Sequence, residues 1–127
     1  MKLIIAVADE QTEAKLKEIL RKNGNELEAV CRKTDILIDY VEILRPDMII
    51  MDLELTGKFK TAEVTKYFNE VYNIPVVYLI NNSAHVKIMN ALETNPFGLI
   101  TDPDDDRQVN FTLELVYNKF SESLHLL

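Results

Sequence analysis

Five short apolar segments, separated by longer amphipathic ones, constrain the fold of this chain more than any other feature. They are residues 3–7, 27–31, 48–51, 75–80 and 97–101. They are largely apolar rather than alternating, with Glu28 the one charged residue among them, which is typical of strands covered on both faces in a parallel sheet. A sheet with one face in water would instead alternate apolar and polar residues. The segments therefore predict five buried parallel strands.

The segments that separate the predicted strands have the spacing of amphipathic helices. Gly24 and Pro46 follow the first two and predict where those helices end. The predicted core stripes are Leu16, Ile19 and Leu20; Leu37, Tyr40, Val41 and Leu44; Val64, Tyr67, Phe68 and Val71; Ile88, Ala91 and Leu92; and Val109, Leu113, Val116 and Phe120.

This regular alternation, with right-handed crossovers, predicts a doubly wound α/β fold. We expect a flavodoxin-like (βα)5 sheet with strand order 2-1-3-4-5. We place the domain at residues 1–121 and a C-terminal tail at residues 122–127.

The composition excludes several classes of function. Of the 127 residues, 47% are hydrophobic, enough for a single core, and the net charge is −7. An acidic chain is poorly suited to bind nucleic acid directly or to adhere to an anionic membrane. No apolar run approaches the roughly 18 residues of a membrane span. The one cysteine, Cys31, cannot form an internal disulfide, so we expect a cytoplasmic protein with a buried, inert thiol.

Carboxylates occupy the ends of three predicted strands. Ligands of doubly wound sheets bind beyond these ends, so function is expected there. Asp9 follows the first strand, Asp52 ends the third with Glu54 close behind, and Asp102 follows the fifth. No Gly-rich loop follows the first strand, which argues against nucleotide binding, and no His/Cys cluster predicts zinc.

Several motifs at these strand ends resemble those of response-regulator receiver domains. They are "IIAVADE", "LRPDMIIMDLEL", "NIPVVYL", "NPFG" and the turn at Pro103, and the resemblance spans residues 2–119. The phrasing is similar to receivers of archaeal, methanogen-type signalling proteins. The resemblance implies that a histidine kinase phosphorylates Asp52. It also implies that Asp9, Asp52 and the backbone carbonyl of Glu54 bind Mg²⁺ weakly, with no other cofactor.

Five positions depart from the receiver pattern; four belong to the phosphorylation mechanism, among them Asn81, a larger polar residue where a small one is usual, and the fifth concerns output. Ala8 replaces the first acid of the metal-binding pair, and Ile80 replaces the hydroxyl residue that binds the phosphoryl group. Leu99 replaces the switch aromatic, and Asp102 replaces a lysine. These changes predict an atypical, non-enzymatic receiver that acts through protein contacts with impaired or no phosphorylation switching. Asp102 has a structural alternative, because carboxylates also favour a helix N-terminus.

Extra apolar residues on the last two predicted helices indicate an interface. They stand where the archaeal-type pattern is polar: Val86, Met89, Leu92, Phe111 and Leu115. Apolar surface on these helices predicts a homodimer, or contact with a partner such as a kinase or an output domain. The alternative is that the fourth helix is rotated or buries more of its surface.

Two other functions stay open at this point. Asp52 could still accept a phosphoryl group from a histidine kinase with Mg²⁺, by slow self-phosphotransfer. Alternatively, Asp9, Asp52 and Asp102 could hold Mg²⁺ or Ca²⁺ in a cation-sensing acidic pocket, because clustered carboxylates recruit a counter-ion.

Overall fold

The computed structural model describes residues 1–80, 89 and 97–125, with side chains up to residue 122. The strands are β1 (Lys2–Ala6), β2 (Glu26–Cys31), β3 (Met48–Asp52), β4 (Val76–Leu79) and β5 (Gly98–Ile100). The helices are α1 (Glu10–Lys22), α2 (Thr34–Leu44), α3 (Thr61–Val71) and α4 (Asp106–His125). The predicted helix around residues 88–92 lies outside the described residues, except for Met89, which is helical.

The five strands form one parallel sheet in the order β2-β1-β3-β4-β5. Both the predicted strand order and the doubly wound fold are confirmed. Fully buried side chains line both faces of the sheet, because helices pack on each side. No helix within the described ranges is long and apolar enough to cross a bilayer.

The helix ends follow from local sequence. Gly24 has a φ of +82° just after α1, a conformation that glycine adopts without steric cost. α2 ends before Pro46 with Arg45 in the left-handed region. Asp105 caps α4, because its Oδ1 accepts a hydrogen bond of 3.2 Å from the Gln108 N–H. α4 continues to His125, past the boundary that we placed at residue 121.

The predicted core stripes of the described helices are largely buried, but two assignments were wrong. Tyr40 is 37% exposed and Val71 is 57% exposed. At 100° per residue, Tyr40 lies about 60° around the helix from buried Leu37, at the margin of the stripe. Val71 is the last residue of α3, so no following turn covers it.

Candidate functional site

Asp52 is the last residue of the central strand β3 and is only 5% exposed. Its Oδ1 accepts a hydrogen bond of 2.9 Å from the Glu54 N–H, and the Ala8 N–H also donates to the carboxyl group. Burial raises the pKa of Asp52, and the charges of Glu54 and Asp9 raise it further, while the two N–H groups lower it. Ionised Asp52 is therefore destabilised here, and a cation would relieve that cost.

Asp9 lies beside this carboxyl group and caps helix α1. Its Oδ1 accepts from the Thr12 N–H at 2.7 Å, and its Oδ2 accepts from the Thr12 hydroxyl at 3.0 Å. The Thr12 N–H in particular lowers the pKa of Asp9, so this carboxylate stays ionised. The Gln11 N–H also donates to this carboxylate, and three donors on two oxygens leave it at least one lone pair for a further ligand.

The donors around Asp52 fit Mg²⁺ in chemical type. The carboxylates of Asp9 and Asp52 and the carbonyl of Glu54 offer only oxygen, which this hard cation prefers. The charge of Asp9 raises the pKa of Asp52, so the two carboxylates are close enough to interact electrostatically. The exposed residue Ala8, directly before Asp9, contributes only a methyl group, so it adds no oxygen ligand.

Asp102 does not complete a three-carboxylate site. Within residues 1–80, 89 and 97–125, no three His, Cys, Asp or Glu side chains come together to hold a metal ion. The exposed Asp102 side chain points to the backbone two residues further on, where its Oδ1 accepts a 3.0 Å hydrogen bond from the Asp104 N–H. The cation-sensing alternative therefore lacks the cluster that it requires, and a structural role for Asp102 before α4 gains support.

Asp102 and Asp9 line one crevice of about 330 Å³ beyond the sheet. Lys15 also lines it, and its Nζ lies 3.0 Å from an Asp104 carboxylate oxygen. Among the described residues, Asp52 is not part of this lining. Sequence reasoning missed Lys15, because its partner is distant in the chain.

Ile80 directly follows β4 and lies beside the end of β3, where Asp52 stands. Leu79 pairs with Asp52 across the sheet, and its carbonyl accepts a 2.9 Å hydrogen bond from the Leu53 N–H. Ile80 is 5% exposed and belongs to the hydrophobic core. Leu99 is partly buried against the same core and pairs with Tyr78. Both side chains are purely apolar and cannot hydrogen-bond a phosphoryl group.

Arg32 is a second residue at this edge that sequence reasoning missed. Its guanidinium donates to Glu13 Oε1 at 2.9 Å and to the Val7 carbonyl at 3.4 Å. Its charge also lowers the pKa of Asp9. Its position directly after β2, beside β1 at the same edge, was the signal that could have found it.

Thr34 holds the loop that follows Asp52 in place through hydrogen bonds. The side chain is completely buried, and its Oγ1 donates to the Phe59 carbonyl at 2.7 Å and accepts from the Phe59 N–H at 3.1 Å. The Thr34 N–H donates to the Thr56 carbonyl at 3.0 Å. Gly57 passes so close that a Cβ there would lie 2.5 Å from Thr34 Oγ1. The loop after Asp52 is thus held by the start of α2.

Three of the predicted interface residues are exposed. Phe111 is 67% exposed and Leu115 is 41% exposed, one turn apart on α4. Met89 is 50% exposed. Val86 and Leu92 lie outside the described residues.

Comparison with known proteins relates this architecture to signalling receivers, although no family model matches the chain. It is 30% identical over 99 residues to a protein-glutamate methylesterase/protein-glutamine glutaminase of Bacillus subtilis (strain 168). The match covers 76% of the chain and 25% of that protein, so the chain spans about a quarter of this relative.

Solved structures match over almost the whole chain. The signal receiver domain of a modulated diguanylate cyclase from Desulfovibrio desulfuricans G20 has a TM-score of 0.87 at 20% identity, covering 96% of this chain and 97% of that one. The N-terminal domain of a response regulator/sensory box/GGDEF 3-domain protein from Carboxydothermus hydrogenoformans has a TM-score of 0.84 at 17% identity, covering 98% and 100%.

The chain is thus a doubly wound, flavodoxin-like α/β domain with an acidic site at the carboxyl edge of its sheet. More narrowly, it has the fold of response-regulator receiver domains, so the receiver fold that the sequence resemblance implied is confirmed.

Proposed function

We propose that this chain is a cytoplasmic, atypical receiver domain that transmits signals through protein contacts, without depending on phosphorylation of Asp52. The observation that carries the proposal is Ile80. It places a buried hydrocarbon beside the end of β3, where receivers have a hydroxyl group for the phosphoryl oxygen. Without that hydrogen bond, a phosphoryl group on Asp52 would be less stabilised and would have a weaker link to the conformation of β4.

The electrostatics of the site also oppose phosphorylation. A phosphoryl group on Asp52 would add negative charge where Asp9 and Glu54 already raise the pKa of this carboxyl group. Lys15 and Arg32 reach the same edge, but each pairs with another carboxylate. Two like unit charges about 6 Å apart repel by roughly 3 kcal/mol at an effective dielectric constant of about 20. The receiver lysine that would offset this repulsion is replaced by Asp102.

Mg²⁺ would be held by Asp9, Asp52 and the Glu54 carbonyl. When bound, the ion would neutralise charge on the carboxylates and on an incoming phosphoryl group. Because Ala8 removes one acidic ligand, we expect weak binding.

The exposed apolar face of α4 supports contact with a protein partner. Phe111 and Leu115 form one stripe, and Met89 adds a third exposed apolar side chain. We propose that this face, together with Val86 and Leu92, forms a homodimer or binds a kinase or output domain. In sedimentation, Met89→Glu and Phe111→Glu should reduce self-association; an unchanged mass distribution would count against the homodimer.

A working phosphoacceptor is the second candidate. Asp52 keeps its place at the end of β3, with the ionised Asp9 beside it, so slow phosphotransfer from a histidine kinase retains its acceptor and a metal-binding partner.

Acetyl phosphate with Mg²⁺, read by intact mass, separates these two candidates. The natural chain should gain little phosphate, whereas the double variant Ile80→Thr, Asp102→Lys should become phosphorylated. Adding Asp52→Asn to the double variant should abolish the modification and serves as the control. Stoichiometric modification of Asp52 in the natural chain, with NMR shifts spreading across the domain in beryllofluoride, would overturn the proposal.

A further inference from the structure

A groove between α2 and α3 lies apart from the candidate phosphorylation site. Its volume is about 320 Å³, and pockets for small ligands in proteins measure about 300–1,000 Å³. The residues that line it are Ile38, Phe59, Glu63, Val64 and Tyr67. Four of these side chains are aliphatic or aromatic and one is a carboxylate, a combination typical of pockets for small organic ligands. The groove is therefore a candidate ligand site.

The walls of the groove are held in place by hydrogen bonds within the protein. The Phe59 backbone makes two of them to the buried Thr34 hydroxyl, at 2.7 and 3.1 Å. On the α3 side, the Tyr67 hydroxyl donates to Glu42 Oε1 at 3.4 Å and lies 3.2 Å from the Tyr72 hydroxyl. Because both walls are shaped in advance, less conformational entropy is lost when a ligand binds.

Two aromatic rings in the lining favour a ligand that contains a ring. Phe59 is 40% exposed, whereas Phe68 of α3 is fully buried. Tyr67, the second aromatic residue of the lining, is partly buried against the core. Stacked or edge-to-face contacts between aromatic rings add to the gain from burying apolar surface. A planar ring would therefore bind these walls better than an alkyl chain of the same size.

The charges at the groove favour a cationic group on that ligand. Glu63 is the charged residue of the lining, and among the described residues no Lys or Arg lines the groove. Within the described ranges, the Glu63 carboxylate has no hydrogen bond or ion pair, so it is free to pair with a ligand. Glu42, which accepts the hydrogen bond from Tyr67, adds a second carboxylate on the α2 side.

Two lysines stand in the loop before α3, outside the lining. Lys58 Nζ lies 5.8 Å from the Phe59 ring centre, and Asp35 Oδ1 accepts a 3.2 Å hydrogen bond from the Lys58 N–H, so a carboxylate stands next to this cation. Lys60 directly precedes α3. Neither lysine pairs with Glu63, so the carboxylate of the lining keeps its charge for a ligand.

We propose that this groove binds a small aromatic amine, a ligand with one planar ring system and one ammonium group. The ring would pack against Phe59 and Tyr67, and the ammonium group would pair with Glu63. A ring that carries a carboxylate would instead be repelled by Glu63 and Glu42. The site does not include Asp52, so the inference goes beyond the proposed function and stands without it.

A ligand in the groove would also contact the loop that follows Asp52. Phe59 belongs to this loop, and the Thr61 hydroxyl at the start of α3 donates to the Leu53 carbonyl at 3.2 Å. Leu53 directly follows Asp52 in the chain. Ligand binding would therefore give the domain an input at this loop that needs no phosphoryl group.

Tryptamine, which carries an indole ring and an ammonium group at neutral pH, tests the proposal directly. Indole-3-acetate keeps the ring and reverses the charge, and ethylamine keeps the charge without a ring. Titrated into the full ¹⁵N-labelled chain, tryptamine should shift the amide resonances of residues 59–67 in a saturable way. We expect a Kd on the order of 1 mM, typical of so small a ligand. Both controls should bind at least about fivefold more weakly.

Two variants with matched controls locate the binding surface. Glu63→Gln should weaken tryptamine binding about threefold, the effect of an exposed ion pair, whereas Glu70→Gln, further along α3 and outside the lining, should leave it unchanged. Phe59→Ala should weaken binding about tenfold, because a ring contact and apolar burial are lost. Its control is Phe111→Ala, at a 67% exposed position on α4, which should bind as the natural chain does. Circular dichroism would verify the fold of each variant, and the exposed Glu63 position keeps the test independent of any loss of stability in Phe59→Ala.

Three results would overturn the proposal. The first is the absence of saturable shifts with tryptamine, or equally tight binding of either control compound. The second is an unchanged affinity in Glu63→Gln or in Phe59→Ala. The third is a set of shifts centred on Asp9 and Asp102, which would indicate a general attraction of amines to acid. Asp52→Asn should bind tryptamine as the natural chain does, so this proposal and the proposed function can fail separately.

Discussion

Replacing Thr34 by Val removes the hydroxyl that hydrogen-bonds the loop after Asp52, and it keeps a branched side chain of similar shape. The Thr34 hydroxyl makes two hydrogen bonds to the Phe59 backbone, at 2.7 and 3.1 Å. Each is worth about 1 kcal/mol net, and a buried group left without a partner costs about 1–3 kcal/mol. Because Phe59 is 40% exposed, water can replace part of the loss.

We therefore expect Thr34→Val to lower the free energy of unfolding by about 2 kcal/mol, the net value of the two bonds. For a domain of 127 residues this corresponds to a decrease in melting temperature of about 8 °C. Urea unfolding followed by circular dichroism measures the change, and the slope should stay constant. The matched control is Thr56→Val, at an exposed side chain in the same loop, which should stay within about 0.5 kcal/mol of the natural chain.

Hydrogen exchange provides an independent measurement. The Phe59 amide should exchange faster in Thr34→Val, because its acceptor is gone. A loss of stability no larger than that of the Thr56 control, or unchanged Phe59 exchange, would refute the idea that this hydroxyl holds the loop.

Three further perturbations test the structure. Burial raises the pKa of Asp52 in the folded state, so the wild type loses stability as the pH rises from the ordinary value of 3.8 through that raised pKa. Asp52→Asn should therefore be the more stable at pH 7, and urea unfolding should show the difference shrinking as the pH falls through the raised pKa and vanishing below 3.8. Gly57→Ala should lower the free energy of unfolding by about 2 kcal/mol or more, because φ is +141° and the new Cβ meets Thr34. Gly24→Ala, where the new Cβ meets open space, should lower it by only about 1 kcal/mol. Equal losses in thermal melts would contradict this contrast. Burial raises the pKa of the Cys31 thiol to about 11 from 9.0, so a thiol reagent at pH 8 should react about a hundredfold more slowly with the folded chain than in urea.

The sequence alone determined the framework, because strand burial and helix periodicity are local patterns. Continuous apolar runs identified all five strands and their parallel pairing. Alternation of strands and helices then determined the topology, and the position of Asp52 after the third run placed the candidate site. Gly24 and Pro46 marked helix ends because glycine's tolerance of positive φ and proline's fixed φ act within a residue or two.

Tertiary structure decided what each side chain at the site contacts. The sequence places Asp102 at the same edge as Asp9, but only the fold shows its carboxylate bound to the Asp104 N–H instead of completing a three-carboxylate site. Periodicity placed Tyr40 in the core, whereas packing leaves it partly exposed beside Ile43.

The contacts of Thr34 with Phe59 and of Arg32 with Glu13 were also settled only by the fold. These pairs lie 25 and 19 residues apart in the chain. The reason is physical: propensity and periodicity act over a few residues, whereas hydrogen bonds and burial depend on which distant segments the sheet brings together.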